Sequence, residues 1–549
     1  MTLTKLSLLA GVLASGAAAL VSSRDAQSPL TSGFKCDLPS ALDPSGDGLP
    51  SANDVYSSQK ALLRQVERHS AIVKVNSVCY DDLGDFEQDD RWLPFYDLHD
   101  ALRKTYPIVH KRAKLEIVNT FGLVYTVEGS NSDLKPIVLA AHQDVVPWLW
   151  GRGSFDDKDA LTAIMSSMEE LLSEDGFRPE RTIILAFGFD EECSGLRGAA
   201  HISDHLVKRY GENGIAMVHD EGGLGLLTLG DAVYALPAVY EKGYVDIWFE
   251  LKIVGGHSSI PVPHSGIGIM SQLVNKLEAN PYKPHIIKDG PVHQHLQCTA
   301  RYSPDAFPGL GGLLDNGDLD KVAKIFSDAR VDTHYLITTS QAVDMISGGQ
   351  KINAMPEVIT LGVDYRVAPQ DSTAKVQHNA FKFAHEVFSP YGIKIKAFEG
   401  DESYKKYVAE QHPSALHDIE SKYEDEYNGT LTLFTKKDVS NATPVSPTKG
   451  PIWDAFAGTI RHTFAAKGKT IVPAGETMTG NTDTRHYLNL TPNIYRWTPA
   501  RPGEFDGLHT VDERILMKGH MEVVKFYYNL IRNFQGALGE KKVFSSSEL

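Results

Sequence analysis

The segment "DEECSG" begins with three adjacent carboxylates, Asp190, Glu191 and Glu192, directly after the apolar run "IILAFGF". Most acidic runs are solvated loops, so the run alone indicates little. Here, however, it follows residues apolar enough to form a buried strand. Like charges at the end of such a strand repel one another unless a cation lies against them. We therefore hypothesise a metal site, in which one carboxylate binds metal and another acts as a general base.

Other residues of the types that bind zinc follow further apolar segments. In "AHQDVV", His142 and Asp144 are two positions apart, so both side chains would point to one face of a strand. A neutral imidazole suits zinc, and Asp144 is placed to orient that imidazole. A lone histidine at a strand end is more often structural, so this pair needs support from elsewhere. The other candidate ligands are Asp156 in "SFDDKD", Asp220 and Glu221 in "HDEGG", and His509 in "LHTVDERI".

Together these segments supply two histidines and at least three carboxylates. That set is enough to hold two zinc ions that share one carboxylate and lie roughly 3.5–4 Å apart. For Asp156 and Asp157 the alternative is structural, because carboxylates before a helix cap it and complement its dipole. The metal hypothesis therefore depends on whether the fold brings the separate segments together.

The elements that must position these residues alternate between strand and helix. Runs such as "PIVLAAH" and "IILAFGF" are typical of strands buried on both faces of a parallel sheet. Between them, "ALTAIMSSMEELLSED" has the apolar spacing of a helix. The alternation predicts an α/β domain with a mainly parallel sheet, in which ligands gather at the carboxyl ends of the strands. Candidate ligands follow three such strands, at His142, 190–192 and 219–221.

The middle of the chain has a different rhythm and predicts an inserted domain. Strand and helix patterns follow in the order β-α-β-β-α-β, with one strand pattern broken at Pro356, as in a ferredoxin-like split βαβ unit. The acidic, tyrosine-rich residues 401–441 have no assignment. The predicted divisions are an N-terminal signal peptide or anchor (1–23), an extension (24–54), a catalytic domain in two parts (55–242 and 438–549) and an inserted lid domain (243–437).

Charge excludes some partners. The chain of 549 residues has 54 basic and 70 acidic residues, a formal net charge of −16. Nucleic acid is not expected as a partner, because phosphate binding needs concentrated Lys and Arg.

The N-terminus predicts entry into the secretory pathway. Lys5 precedes the apolar run Leu6–Val21, which is followed by polar residues. A membrane span needs about 20 apolar residues, so a signal peptide fits better than a single N-terminal membrane anchor, which stays the alternative. Three sequons begin at Asn428, Asn441 and Asn489. The four cysteines are expected to be buried thiols with at most one bridge: Cys36, Cys79, Cys193 and Cys298.

Eight motifs occur in the order found in a known family: "AHQDVVP", "GRGSFDDKD", "GFDEECSG", "HDEGG", "GGHSS", "NAMPEVITLGVDYRV", "GNTDTRHY" and "LHTVDERI". In this order the chain resembles the di-zinc metallopeptidase family of carboxypeptidase S, aminoacylase and glutamate carboxypeptidase. The resemblance covers nearly all of the chain after residue 55. "SVCYDDLGDF", "DDRW" and "TDTRHY" are most similar to the fungal vacuolar carboxypeptidase S branch, also called Gly-X carboxypeptidase. A vacuolar or secreted destination follows from that resemblance.

The resemblance implies a role for each candidate ligand. Asp156 would bridge two Zn²⁺ ions. Glu192 and His509 would bind one of them, and His142 the other. Glu221 is favoured over Asp220 to complete the second ion, although either stays open.

The resemblance also implies roles in catalysis and substrate binding. Asp144 would orient the ligand histidine, and Glu191 would be the general base for a metal-activated water. His257 in "GGHSS" would stabilise the oxyanion, often in a neighbouring active site across a homodimer formed through the lid. Asn353, Arg366 and Arg485 are candidate substrate contacts, since a guanidinium suits a substrate α-carboxylate. Whether Arg366 or Arg485 binds that carboxylate stays open.

Two departures from the family pattern concern the same region. His142 and Asp156 are only 14 positions apart, because a longer loop that the family has between "VVP" and "GRG" is short here. Asp159 stands where the family has a small residue.

The leading hypothesis is a zinc exopeptidase that hydrolyses the C-terminal peptide bond of short peptides. The alternatives are an N-acyl amino acid hydrolase and a catalytically silent relative.

Overall fold

The computed structural model describes residues 34–147, 151–411, 419–423, 426–436 and 439–538. Its strands are β1 (Lys114–Val118), β2 (Gly122–Val127), β3 (Ile137–His142), β4 (Ile183–Gly188), β5 (Met217–Asp220), β6 (Leu226–Leu229), β7 (Ala232–Ala235), β8 (Ala238–Glu241), β9 (Gly243–Lys252), β10 (Gly256–His257), β11 (Ser340–Gly348), β12 (Ala354–Met355), β13 (Val358–Val367), β14 (Lys394–Ala397), β15 (Thr430–Thr435), β16 (Thr470–Pro473), β17 (Glu476–Met478), β18 (Ile494–Arg496), β19 (Phe505–Asp506) and β20 (Arg514–Ile515). Its α-helices are α1 (Ala52–Tyr56), α2 (Gln59–Val73), α3 (Leu93–Thr105), α4 (Pro107–Arg112), α5 (Lys158–Ser173), α6 (Ala199–Tyr210), α7 (Gly266–Glu278), α8 (Pro291–Tyr302), α9 (Leu310–Asp315), α10 (Leu319–Ala329), α11 (Val331–Leu336), α12 (Thr373–Phe388), α13 (Glu402–Gln411), α14 (Pro451–Thr463) and α15 (Met517–Asn533).

The first sheet has the strand order β1-β2-β4-β3-β5-β18-β8-β17. Its central strands β4, β3, β5 and β18 run parallel to one another. Every residue of β3 and β4 is buried, because helices cover both faces of the sheet. On one face Leu139 and Leu185 belong to a core with residues of α5 and α15, and on the other Val138 and Ile184 pack with α6. The α/β class with a mainly parallel central sheet is therefore confirmed.

The second sheet has the order β11-β13-β9-β15-β14, with a core shared with α7 and α12. Without β15 this is the strand order of a split βαβ unit. The extra strand β15 lies between β9 and β14, antiparallel to the first and parallel to the second. It lies in the segment 401–441, which has no assignment from sequence because the period-two pattern of the strand is short and surrounded by charged residues. The predicted domain boundaries stay predictions.

Helices α8 to α11 interrupt the second unit between α7 and β11. Helix α8 packs beside the small sheet β16-β7-β6, in a cluster that contains Tyr234, Val472 and Cys298. Cys298 forms a disulfide with Cys36. A second disulfide joins Cys79 and Cys193. The expectation of buried thiols with at most one bridge was wrong, because partners so distant in sequence leave no spacing signal.

The predicted signal peptide or anchor, residues 1–23, lies outside the described residues, as do residues 24–33 of the predicted extension 24–54. Within the described ranges, none of the helices combines the length and the apolar character that a membrane crossing requires.

Candidate metal centre

The candidate ligands meet at the carboxyl ends of three neighbouring strands. His142 is the last residue of β3, Glu191 and Glu192 lie in a single 3-10 turn after β4, and Glu221 follows β5. Since β3 lies between β4 and β5 in the sheet, the three segments end side by side. Asp156 reaches the same point from the segment before α5.

The Nε2 atom of His142 faces two carboxylates, and its Nδ1 atom faces Asp144. Its Nδ1 lies 3.0 Å from the main-chain oxygen of Asp144 and 3.3 Å from Asp144 Oδ1. A carbonyl oxygen only accepts hydrogen bonds, so Nδ1 carries the proton and Nε2 is free to bind a metal. That Nε2 lies 3.0 Å from Asp156 Oδ1 and 3.5 Å from Glu221 Oε1. His142 and these two carboxylates form one candidate cation site.

His509 forms the second candidate site. Its Nε2 lies 2.9 Å from Asp156 Oδ2 and 3.3 Å from Glu192 Oε1. Asp156 therefore presents one carboxylate oxygen to each histidine. His509 has a φ of 53° and is half exposed, in the loop between β19 and β20.

The charges of this cluster fit divalent cations. Burial and nearby Asp156 raise the pKa of Glu221, burial raises that of Glu192, and hydrogen bonds that His509 donates to Asp156 and Glu192 raise the pKa of His509 to about 10. Burial thus disfavours the charged carboxylates unless positive charge lies beside them. Imidazole nitrogens with carboxylate oxygens are a donor set that suits zinc. One ligand atom each from His142, Asp156 and Glu192 lies within 4.8 Å of the others, as do those of His142, Asp157 and Glu221.

The structural alternative for Asp157 was that its carboxylate caps the helix that follows. It precedes α5 but makes no side-chain cap bond there, and its Oδ2 instead accepts the main-chain N–H of His142 at 3.2 Å. The side chain therefore supports the metal centre rather than the helix end.

The side chains of Asp220 and Glu221 have different surroundings. Asp220 is buried and its Oδ1 accepts the main-chain N–H of Glu221 at 3.0 Å. Burial raises the pKa of Asp220 to about 6. Only Glu221 has its carboxylate beside His142. The geometry therefore favours Glu221 as the ligand.

Asp144 contacts both ligand-bearing segments. Besides facing His142, its two carboxylate oxygens accept the main-chain N–H groups of Glu191 at 3.2 Å and Glu192 at 3.0 Å. Burial, followed by repulsion from Glu192, raises the pKa of Glu191. The chain leaves strand geometry at Gly188, and the 3-10 turn sets the directions of the two glutamates.

Glu513 is a site residue that the sequence did not reveal. It is buried, and its carboxylate accepts main-chain N–H groups from Gly153 at 3.2 Å, Phe155 at 2.8 Å and Asp156 at 3.0 Å. It ties the loop of His509 to the loop of Asp156. The sequence signal that could have found Glu513 is its place in the motif "LHTVDERI", which also contains His509.

Asp159, the departure from the family pattern, has a partner in α15. Its Oδ1 lies 2.5 Å from Nδ1 of His520, and both side chains are fully buried. The larger residue is thus accommodated as a buried pair. Of the short segment before Gly151, residues 148–150 lie outside the described residues.

His257 and Asn353 lie on the exposed ribbon of β10 and the segment before β12. The ring Nδ1 of His257 lies 2.7 Å from Ser259 Oγ, and the main-chain oxygen of Asn353 accepts the N–H of Ser258 at 3.2 Å. Among the described residues, no hydrogen bond or ion pair joins either side chain to the metal centre.

The two arginines have different surroundings. Arg485 donates to the main-chain oxygen of Ser194, just after the Glu191–Cys193 turn. Arg366 lies over the ring of Tyr244, 4.8 Å from its centroid, and donates to Asn481 Oδ1 at 3.2 Å. Both arginines are half-buried, and Arg366 also pairs through its Nε with Asp364 Oδ1 at 3.3 Å.

The sequence of residues 138–533 matches the peptidase family M20/M25/M40. The chain belongs to this family of metal-dependent peptidases and is therefore a hydrolase. An uncharacterized carboxypeptidase of Schizosaccharomyces pombe is 38% identical over 530 residues, covering 90% of this chain and 84% of that protein. Carboxypeptidase S of Saccharomyces cerevisiae is 36% identical over 506 residues, covering 85% and 84%. The crystal structure of human carnosine dipeptidase 1 has the same fold, with a TM-score of 0.56 and 11% identity, covering 88% of this chain and 99% of that one.

Proposed function

We propose that this protein is a zinc carboxypeptidase that removes the C-terminal residue from short peptides. The observation that carries the proposal is the pair of imidazoles that each face two carboxylates, with Asp156 shared between them. His142, Asp156 and Glu221 would hold one Zn²⁺, and His509, Asp156 and Glu192 the other. When bound, the ions would polarise the scissile carbonyl and make a water molecule acidic.

Glu191 is the proposed general base. It is next to the ligand Glu192 but makes no ion pair with either histidine among the described residues, so its carboxylate is available to a proton. It would accept a proton from the attacking water and deliver it to the leaving amine. Asp144 holds the turn that carries it through two main-chain N–H groups.

Arg366 is the proposed contact for the C-terminal carboxylate of the substrate. A guanidinium binds a carboxylate through two parallel hydrogen bonds, and Tyr244 and Asn481 fix its orientation. Arg366→Lys should then raise KM for peptides far more than it lowers kcat, because a lysine cannot form both bonds. A variant with unchanged KM would remove this assignment.

We also propose a homodimer in which His257 serves the partner's active site. Two observations support it: His257 is exposed on its ribbon, and Ile260 and Ile352 beside it are 81% and 98% exposed. Mixing two inactive variants, His257→Ala and Glu191→Gln, should then restore activity, since a mixed dimer contains one complete site. Absence of complementation by a dimer that exchanges subunits would contradict this.

A secretory destination, vacuole or exterior, is proposed on separate grounds. Both disulfides are typical of an oxidising compartment. Asn428, Asn441 and Asn489 are all exposed, but the Asn441 side chain also accepts the N–H of Thr373 at 3.0 Å. Peptide mapping should therefore find glycans at Asn428 and Asn489 more readily than at Asn441.

The activity is tested with purified, zinc-supplied protein on Cbz-Gly-Leu and on N-acyl-Phe. Faster release of leucine supports the carboxypeptidase, and a preference for N-acyl-Phe supports an N-acyl amino acid hydrolase. Glu191→Gln should lower kcat by about 10²–10⁴-fold with zinc content unchanged. Glu212→Gln, a change at an exposed position, is the control. No amino acid release from any short peptide would refute the proposal.

A further inference from the structure

The disulfide between Cys79 and Cys193 is attached to the metal centre itself. Cys193 ends the 3-10 turn Glu191–Cys193, so it directly follows the candidate ligand Glu192. A covalent bond from the adjacent residue restrains where that carboxylate can lie.

The other end of the bond is anchored on a second ligand-bearing segment. Cys79 donates its main-chain N–H to Val145 at 3.0 Å, and Val145 donates to Ser77 at 3.0 Å. The buried Ser77 hydroxyl donates to the main-chain oxygen of Gln143 at 2.7 Å. The segment 77–79 thus lies along 143–145, immediately after His142. Through the disulfide it joins the segment after β3 to the turn after β4.

The turn needs such a restraint. Ser194 has a φ of 94°, a left-handed conformation that side-chain-bearing residues rarely adopt. Among the non-covalent contacts at this turn are main-chain hydrogen bonds to Asp144 and Asp190 and contacts of Arg485 and His486 with the oxygen of Ser194. Such bonds break and re-form more readily than a covalent link.

We infer that the Cys79–Cys193 disulfide is a positioning element for one of the two metals, the ion held by Glu192 and His509. This inference rests on the proposed two-metal site. The ion held by His142 and Glu221 depends less on the bond, because His142 ends β3, Glu221 directly follows β5, and these two strands pair in the sheet. Loss of the disulfide should therefore weaken one metal equivalent selectively.

The chain contains a matched control. The Cys36–Cys298 disulfide links the start of the described chain to α8 and contains no neighbour of a candidate ligand. Removing it alters stability through the same kind of covalent change but leaves the 79–193 connection intact.

The test compares Cys79→Ser/Cys193→Ser with Cys36→Ser/Cys298→Ser and with the unmodified protein. Zinc affinities are measured by competition with a chromophoric chelator, and the Co²⁺-substituted proteins are compared by their visible spectra. We expect one equivalent in the 79/193 variant to bind about 10–100-fold more weakly, with a changed Co²⁺ spectrum, while the other stays within about threefold. The 36/298 variant should retain both affinities.

The pair Cys79→Ala/Cys193→Ala repeats the measurement without buried hydroxyls, and near-ultraviolet circular dichroism identifies the variants that fold. Unchanged affinities in either folded 79/193 variant would overturn the inference, as would equal weakening of both equivalents or the same loss in the 36/298 control. If the unmodified protein binds no zinc, the proposed function fails instead, so the two failures are distinguishable.

Discussion

The carboxylate of Glu513 accepts the main-chain N–H of Asp156 at 3.0 Å, although the two residues are 357 positions apart. Two further N–H groups of the same loop, from Gly153 and Phe155, point at the same carboxylate. Since His509 and Glu513 share one loop, this contact fixes the distance between the proposed bridging ligand and the histidine that faces it.

Replacing Glu513 should therefore damage both stability and metal binding. Glu513→Ala leaves one buried and two partly buried N–H groups without this partner, and the loss at a buried group costs about 1–3 kcal/mol. We expect a loss of several kcal/mol in the free energy of unfolding and weaker zinc binding. Glu513→Gln keeps an acceptor oxygen and should be intermediate. Urea unfolding and chelator competition measure the two effects. Asp512→Asn, exposed in the same loop, is the control, and equal effects of both changes would contradict this role.

The acidic pair after β5 gives a second prediction. Glu221→Gln should lower the zinc content from about two to about one per chain, because its carboxylate faces His142. Asp220→Asn should keep both ions, since Asp220 contacts the backbone and its pKa is already raised to about 6 by burial. Elemental analysis after gel filtration measures this. Loss of metal from the Asp220 variant alone would reverse the assignment.

The buried pair of Asp159 and His520 gives a third. Removing one partner leaves the other unpaired in the core, at a cost of about 3–5 kcal/mol. Asp159→Ala and His520→Ala should each destabilise the protein by such an amount, and the double variant by clearly less than their sum. A double-mutant cycle from urea unfolding checks the coupling. Additive effects would mean that the 2.5 Å contact contributes nothing.

The lowered pKa of Lys242 predicts that the free energy of unfolding changes with pH in alkaline solution. It is buried, and burial followed by repulsion from Arg366 lowers its pKa from 10.5 to about 7. Between these values the unfolded chain binds more protons than the folded one, so stability rises as pH increases from about 7 towards 10. The limiting slope is about 1.4 kcal/mol per pH unit.

Lys242→Met should lack that rise. Comparing unfolding free energies of the two proteins at several pH values across this window isolates the lysine, because the other groups titrate in both. The Met variant loses the bond from Lys242 to the main-chain oxygen of Thr338, a contribution that does not change with pH once the lysine is neutral. Parallel curves would show that the ammonium is not disfavoured in the folded protein.

The sequence predicted the part of the site that follows from strand geometry. Parallel strands buried on both faces are apolar throughout, so the polar residues that end β3, β4 and β5 stand out, and their carboxyl ends must meet at one edge of the sheet. That reasoning located His142 and the segments 190–192 and 219–221 without knowledge of the fold. Asp156 and His509 were candidates by residue type alone. The choice of Glu192 and Glu221, and the assignment of Asp156 and His509 to shared ions, needed the resemblance to a family, since loop residues have no comparable periodicity.

What the sequence could not reveal depends on contacts between distant segments. The partners of Cys79 and Cys298 are 114 and 262 positions away, and four cysteines allow three full pairings that the spacing does not distinguish. Glu513 acts by accepting main-chain N–H groups, which any sequence supplies. Strand β15 alternates buried residues with half-buried or exposed ones, so it lacks the continuous apolar run that marks β3 and β4.

The most direct measurement of the central claim is the zinc content of Asp156→Ala beside that of the unmodified protein and of His142→Ala. If one carboxylate serves both ions, the unmodified chain should retain about two zinc ions, His142→Ala about one, and Asp156→Ala close to none, with all three folded by circular dichroism. An Asp156→Ala protein that keeps two ions, or an unmodified protein that binds none, would contradict the account.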